Sequence, residues 1–593
     1  MSITHITDII QLMQRLYKTD KTLLQTIILM VVLYAWIALI SALFGIFYPI
    51  VIWSVWLIIC GLLFFKKIII FSKPSKEFTT YALIAMSFAL IIAIFTVPTI
   101  FSGRDQGSLS GAAIRLSEEH TLIQHTSESD VFFDIYGRGK ALNFPGFFYT
   151  PDGGLLTQFP LPYTSFIGGF FGIIGVNGFI VANVILLFTF ILTITTVARH
   201  YMSHRYTLAF MAILLSSFSI GWFGKFTLSE NIAGALLWSV FALYLFLKET
   251  PRSKTYFIFF MTLSLLLFTR IEGIWFFIIF IFLLLCNKSI RSFLRQDLWW
   301  RIIFPLTTLF VIALNVLIMN MPFFITLIKA GTPTSTGENT TQFIDELSYL
   351  FSVYSLYGLL LPLFLTIIAS LVALRYKRYR TILLPLIVVL PLMLYYIFPN
   401  ISGDHPWMLR RFVFALLPAT ILISVSFISY IQSNNLIKRS IKYIMLTLLF
   451  LANIPAFITF ITYAENSTLA TQVTALSQEF DNNDLILVDK NVAGNGWSMI
   501  TNPLRSLNNK HAVYFFNPYD YDKINTDSFD KVFLVTSNEN AKMYTDVLAS
   551  NMQYVGKYIF TVDQLQSQLD NAATFPKKEI QTIRGTIYEL KKK

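Results

Sequence analysis

Phe101-Ser102-Gly103-Arg104-Asp105-Gln106-Gly107 opens the only long polar interruption in the first half of the chain. It follows directly on an apolar run that ends at Ile100, and the polar stretch continues to Pro162. A carboxylate at the mouth of a membrane helix is costly unless it does something, so Asp105 needs a reason. On either side the apolar residues come in blocks of roughly 20, the length that crosses a bilayer core. The 593 residues are 55% hydrophobic and only 13% charged, with a mean hydropathy of +0.63, against about 25% charged in a soluble globular protein. The fold class that follows is a polytopic α-helical membrane protein.

Working outward, spans are expected at about 23–47, 51–71 and 81–100 before the polar stretch. After it they are expected at about 179–197, 208–222, 233–247, 256–268, 275–286, 302–319, 347–374, 382–397, 412–431 and 443–463, which makes about thirteen. Basic residues then fix the sides. Lys18 and Lys21 precede the first span, and Lys66, Lys67, Lys73 and Lys76 follow the second. Later clusters around Arg199, Lys248, Arg291, Arg375 and Lys438 all fall on that same side. The positive-inside rule makes it the cytoplasmic side, with the N-terminus, and puts the Asp105 stretch outside. The same rule accounts for the net charge of +12, so nucleic acid is not the expected partner. Cys60 and Cys286 both sit in apolar blocks, which argues against a disulfide framework.

Three units follow. Residues 1–78 hold an amphipathic segment and two spans, 79–463 hold the core with the outer loop 102–162, and 464–593 turn polar and soluble in character. In the last unit short β-type runs at 485–488, 512–516, 532–535, 556–560 and 586–590 alternate with helical segments near 469–480, 540–551 and 562–571. That alternation predicts an extracytoplasmic α/β domain. Two triplets, at Asn339 and Asn466, match the glycosylation pattern, which is common by chance.

On the outer face, charge gathers at helix ends in a few short segments: Arg104/Asp105, Lys225/Glu230, Arg270/Glu272 and Asp404/His405/Arg410/Arg411. Cations so placed bind phosphate, and carboxylates take protons or hold a metal ion. Arg410 and Arg411 cannot both face lipid cheaply, and a guanidinium pair suits a phosphate or diphosphate. The bland reading stands beside this one: Arg and Glu at helix ends commonly anchor the interface by snorkelling, and a helix-end His405 is often simply wetted. Glu118, Glu119, Asp130 and Asp134 read as solvated loop charge.

Asp105 at a helix end, followed by Gln106-Gly107 and Ala112-Ala113-Ile114-Arg115-Leu116, resembles the first extracytoplasmic loop of GT-C superfamily glycosyltransferases. The similar members are bacterial relatives of protein O-mannosyltransferases and the aminoarabinose transferases of lipid A. Phe159-Pro160-Leu161-Pro162-Tyr163 leading to Phe171–Asn177 is similar to that family's juxtamembrane helix and turn. Thr269–Gly273 and Asp404–Arg411 also look like its loops. The resemblance implies a GT-C-like core and a polyprenyl-phosphate-sugar donor lying in a groove between helices. It implies Asp105 as general base on an acceptor hydroxyl, and Arg410, Arg411 and Arg270 on the donor phosphate. Arg104, Glu230, Glu272, Asp404 and His405 remain further site candidates. Transfer would invert the sugar, onto an extracytoplasmic glycan, lipid or protein acceptor. Some members use a divalent cation (Mg or Mn); the carboxylates here allow either case, although Gln106 stands where many members carry a second acid. A lipid-linked sugar flippase or transporter, and an O-antigen-type polymerase or ligase, are the competing readings. The absence of an internal repeat speaks against the first.

Overall fold

The computed structural model describes residues 3–292, 339–393, 404–433, 438–566 and 573–592. The expected span at 302–319, and most of the small, polar loop centre at 331–341, lie outside the described residues. The chain starts with α1 (Ile3–Leu43), α2 (Pro49–Phe65) and α3 (Lys76–Ile94). The amphipathic N-terminal segment is continuous with the first span rather than separate from it. In the polar stretch come α4 (Asp105–Glu119), α5 (Ser127–Tyr136) and a small antiparallel sheet of β1 (Gly139–Lys140), β2 (Phe147–Tyr149) and β3 (Leu155–Thr157). The short aromatic segment expected at the interface is α6 (Leu161–Ile174). It packs on α1 and α2 through Tyr34, Trp53, Phe166 and Phe170, whose rings meet at 4.8–5.4 Å, edge-on or tilted.

Then follow α7 (Asn177–Tyr201), α8 (His204–Leu215), α9 (Phe218–Phe223), α10 (Ser229–Glu249), α11 (Ser253–Leu267) and α12 (Gly273–Cys286). The expected span at 208–222 is thus two helices. Ser216 and Ser217 sit at the break, where the Ser216 hydroxyl bonds to the Ile213 carbonyl instead of leaving the backbone to continue. Beyond α12 the described helices are α13 (Asn339–Leu356), α14 (Leu360–Arg375), α15 (Leu383–Val389), α16 (Arg410–Val413), α17 (Leu416–Ser433) and α18 (Arg439–Phe460).

Among the described residues, five helices are long and apolar enough to cross a membrane, or up to seven if each of two bent pairs is one span. The count of thirteen therefore stands as an expectation. Two spans expected as continuous are bent, and each bend has a local cause. Between α13 and α14 the chain turns by 110° at Gly358, which has φ +72 and approaches the Ala452 carbonyl so closely that a Cβ would sit 2.2 Å from it. Between Trp407–Val413 and Leu416–Ile431 the bend is 59°. Pro418 cannot donate to the Phe414 carbonyl, and that carbonyl accepts the Trp238 indole N–H instead, at 2.9 Å.

The helix ends assigned to the cytoplasmic side meet one another. Arg199 pairs with Glu77 at 2.9 Å, His200 lies 3.1 Å from Glu249, and Lys21 reaches the same Glu249.

The C-terminal part holds a five-stranded mixed sheet ordered β5-β4-β6-β8-β7. Its strands are β4 (Leu485–Val488), β5 (His511–Tyr514), β6 (Val532–Ser537), β7 (Met552–Leu565) and β8 (Lys578–Leu590). The helices are α19 (Leu469–Ser477), α20 (Thr501–Asn508) and α21 (Ala541–Leu548). β5-β4-β6 run parallel, and β8 and β7 are added antiparallel. The expected helix at 562–571 is corrected as far as Leu565, where the chain is still strand. Tyr558, Phe560 and Val562 alternate into the core there, and pairing with β8 continues to Leu565 opposite Lys578. Residues 567–572 lie outside the described set.

This domain and the polar stretch share one apolar core. Phe132, Phe144 and Tyr149 are buried with Leu485, Val513, Leu534 and Tyr544. Each buried Phe or Leu contributes about 1.5–3 kcal/mol, more than a hydrogen bond at about 1 kcal/mol, so the apolar surface holds the two parts together. Polar contacts set their register.

Candidate active site

Asp105 is the first residue of α4, where a carboxylate complements the positive end of the helix. Two glycines allow the approach. A Cβ on Gly107 would lie 1.5 Å from the Phe101 carbonyl oxygen, and one on Gly103 would lie 2.2 Å from that of Gly496. The loop is then clamped from the C-terminal domain. The Asn502 amide donates to the carbonyls of Ile100 at 2.6 Å and Gly107 at 3.0 Å, and Ser102 N–H donates to the Met499 carbonyl at 3.1 Å.

Asp105 Oδ2 is 2.6 Å from Arg410 Nη2. Its side chain is 41% exposed, so the pair faces an open cleft. Burial works to raise the Asp105 pKa. The Arg410 guanidinium, with Arg411 and Arg270 behind it, outweighs burial and holds the carboxyl below its usual range. Arg410 sits at the start of α16, within electrostatic reach of Glu230 and Arg270.

A second knot stands beside the first. Arg270 grips Glu272 with two parallel contacts of 3.1 Å and touches Glu230 at 2.8 Å and the Ser229 hydroxyl at 3.1 Å. Its guanidinium lies 5.1 Å from the Phe414 ring. Arg104 forms a third: it meets Asp404 at 3.0 Å and is sandwiched between the rings of Trp407 and Trp497 at 4.3 and 4.4 Å. His405 is fully buried, with Nδ1 3.1 Å from the Tyr357 hydroxyl. Lys225 is a helix cap; its ammonium donates to the carbonyls of Phe460, Ile461 and Tyr463 at the end of α18.

The structure thus brings Asp105, Arg410, Arg411, Arg270, Glu230 and Glu272 into one charged neighbourhood, with Arg104 and Asp404 at its edge. Adjoining it, Leu187, Phe190, Ile220, Val413 and Phe414 line an apolar cavity, partly open to solvent, that has Glu230 and Asn231 on its wall.

Solved structures similar to the chain include two of one protein. One is the crystal structure of ArnT from Cupriavidus metallidurans bound to undecaprenyl phosphate, with a TM-score of 0.47 and 11% identity, covering 86% of this chain and 97% of that one. The other is the same protein in the apo state, with a TM-score of 0.43 and 11% identity, covering 86% and 98%. No protein-family model matches the sequence, and no curated protein matches it.

Among the described residues no three His, Cys, Asp or Glu side chains are grouped so as to hold a metal ion. Asp105 is taken up by Arg410, and its neighbour Gln106 is neutral. Sequence reading missed Ser229, Trp497 and Asn502, which belong to no motif, and passed over Trp407 within the Asp404–Arg411 segment; only the approach of distant segments gives them a place.

Proposed function

We propose that the chain is an integral membrane glycosyltransferase that moves a sugar from a polyprenyl-phosphate donor to an acceptor hydroxyl. The observation that carries this is the half-open Asp105 carboxylate held by Arg410, with Arg270 and Arg411 near it, next to an apolar cavity. Guanidiniums suit a phosphate, the cavity suits the first units of a lipid tail, and the carboxylate suits the proton of a nucleophile.

The acceptor oxygen forms a bond to the anomeric carbon, and the bond from that carbon to the phosphate oxygen breaks. The electron pair leaves with the polyprenyl phosphate, where Arg410 and Arg411 stabilise the charge, and the acceptor proton passes to Asp105. One displacement inverts the anomeric centre. While Arg410 grips Asp105 it weakens the carboxylate as a base. A donor phosphate competing for Arg410 releases the carboxylate and restores its basicity, so donor binding precedes acceptor activation.

Arg410→Ala is expected to raise the donor KM by about 10–100-fold, the loss of one charge-assisted contact of about 1.5–3 kcal/mol. Arg410→Lys should recover part of it. The readout is transfer or hydrolysis of a synthetic polyprenyl-phosphate sugar in detergent, where a flippase has nothing to do. No turnover by the wild-type chain overturns the reading.

In this reading the protein is a multi-pass plasma-membrane protein with a cytoplasmic N-terminus and an extracytoplasmic C-terminal domain. A cysteine introduced at exposed Glu539, with Cys60 and Cys286 replaced, is expected to react with an impermeant reagent added to intact cells. Protection until lysis reverses the orientation.

A further inference from the structure

Next to Arg104 and Gln106 a second cavity, partly open to solvent, lies between the loop and the C-terminal domain. Its wall includes Arg104, Gln106, Glu465, Asn495, Trp497 and Gln564. Three of these are carboxamides, one is a carboxylate, and one is an indole that is 46% exposed. The guanidinium on this wall is already neutralised by Asp404 at 3.0 Å and stacked between two tryptophans, so the wall offers no spare cation for an anion.

One group on this wall is left without a partner. The Gln106 side-chain oxygen is buried on a residue only 7% exposed, and it makes no hydrogen bond. A buried acceptor without a donor costs about 1–3 kcal/mol, and a turn of the amide toward a ligand hydroxyl in the cavity would relieve it. The other amides are already oriented. Asn495 and Gln564 bond to each other, and Gln564 also donates to Asn466 and Ser498 at 3.2 and 3.0 Å. The Asn466 glycosylation triplet is part of this framework: its side chain is buried and donates to Ser498 at 2.9 Å, so it is not presented for modification. Glu465 accepts from the Leu565 N–H at 3.1 Å.

Amides and a carboxylate that converge on a space with an exposed indole match a neutral polyol. The amides read hydroxyls, and the indole covers the C–H face of a ring. We propose that this cavity is the acceptor subsite and that it takes a neutral sugar unit of a glycan, with the C-terminal domain supplying the outer wall. The inference rests on the transferase reading: Arg104 and Gln106 on this wall flank Asp105 in the chain, so the cavity borders the loop that carries the proposed base.

The test is binding of cellotetraose, maltotetraose and chitotetraose to the full-length protein in nanodiscs, by saturation-transfer NMR without donor. At least one is expected to bind saturably. Trp497→Ala and Gln106→Met are each expected to weaken it by about tenfold or more, and Trp497→Phe by less. Donor turnover is followed in the same preparations. In the variants the acceptor KM should rise while the donor KM holds. Wild-type turnover of donor without binding of any of the three glycans overturns the acceptor assignment and leaves the transferase reading standing. Glycan binding unchanged by Trp497→Ala and Gln106→Met also overturns it. Glycan binding without any donor turnover overturns the transferase reading instead.

Discussion

Asp105→Asn is expected to lower kcat for transfer by about 10²–10⁴-fold, the usual contribution of a positioned general base. Asparagine keeps the size and the place at the start of α4 but cannot take the acceptor proton. The fold should survive, because the Asp105 side chain is 41% exposed and a solvated ion pair contributes at most about 1 kcal/mol. The donor should bind as well or better, since Arg410 loses its competitor. A fall in kcat with an unchanged or lowered donor KM is therefore the signature. Near-normal turnover in this variant sinks the mechanism, and a raised donor KM with unchanged kcat would mean that Asp105 only organises the site.

Glu128→Gln is expected to destabilise the docked C-terminal domain by about 3–5 kcal/mol, as when one partner of a buried ion cluster is removed. Glu128 on α5 is buried at 2% exposure. It faces Arg505 at 3.3 Å and Arg115 at 3.6 Å, with His511 Nδ1 at 2.8 Å. Burial pushes its pKa up, but the His511 contact and the two guanidiniums bring it down to about 2. The cluster holds two guanidiniums against one carboxylate, and its members do not gain alike. Arg505 is lowered to about 9 by burial and by Arg115, so the gain at Glu128 is not the net strength of the cluster.

The sign follows from the depressed carboxylate. Its contribution is complete above the unfolded value of about 4.5 and is lost as pH falls toward about 2. Thermal unfolding and protease cleavage near residue 464 should both show it. A Glu128→Gln variant within about 0.5 kcal/mol of wild type, with an unchanged acid limb, refutes this account of the cluster. Glu128→Gln combined with Arg505→Leu should recover part of the loss, because one stranded charge is gone.

The parts of the molecule legible in the sequence were those set by solvent. Apolar blocks and basic clusters are placed by solvent, and Asp105, Arg410, Arg270 and Glu272 stand out in the sequence because charge at a helix mouth is expensive. Breaks inside spans were not legible as such. The bend at Gly358 depends on how near the Ala452 carbonyl comes, and the one at Pro418 on Trp238 reaching the freed carbonyl. The second cavity was invisible for a similar reason. Gln106 was noticed only as a missing acid, and Asn495, Trp497 and Gln564 are ordinary polar-domain residues until the sheet brings them to the loop. In β7 the apolar residues at 558, 560 and 562 carry a strand period, yet the polar residues after them read as a helix.

Asn502 holds carbonyls 402 and 395 residues earlier in the chain. At roughly 5–20 residues per second, the ribosome makes that clamp about 20–80 s after it has made the Asp105 loop. Until then the loop lacks the contacts that Asn502 and Met499 give it. Whatever chemistry it performs starts only when the last quarter of the protein has been synthesised and has closed over it. On the transferase reading a chain truncated before residue 464 is expected to be inactive, and the order of synthesis would then keep a half-built enzyme from losing lipid-linked sugar to water.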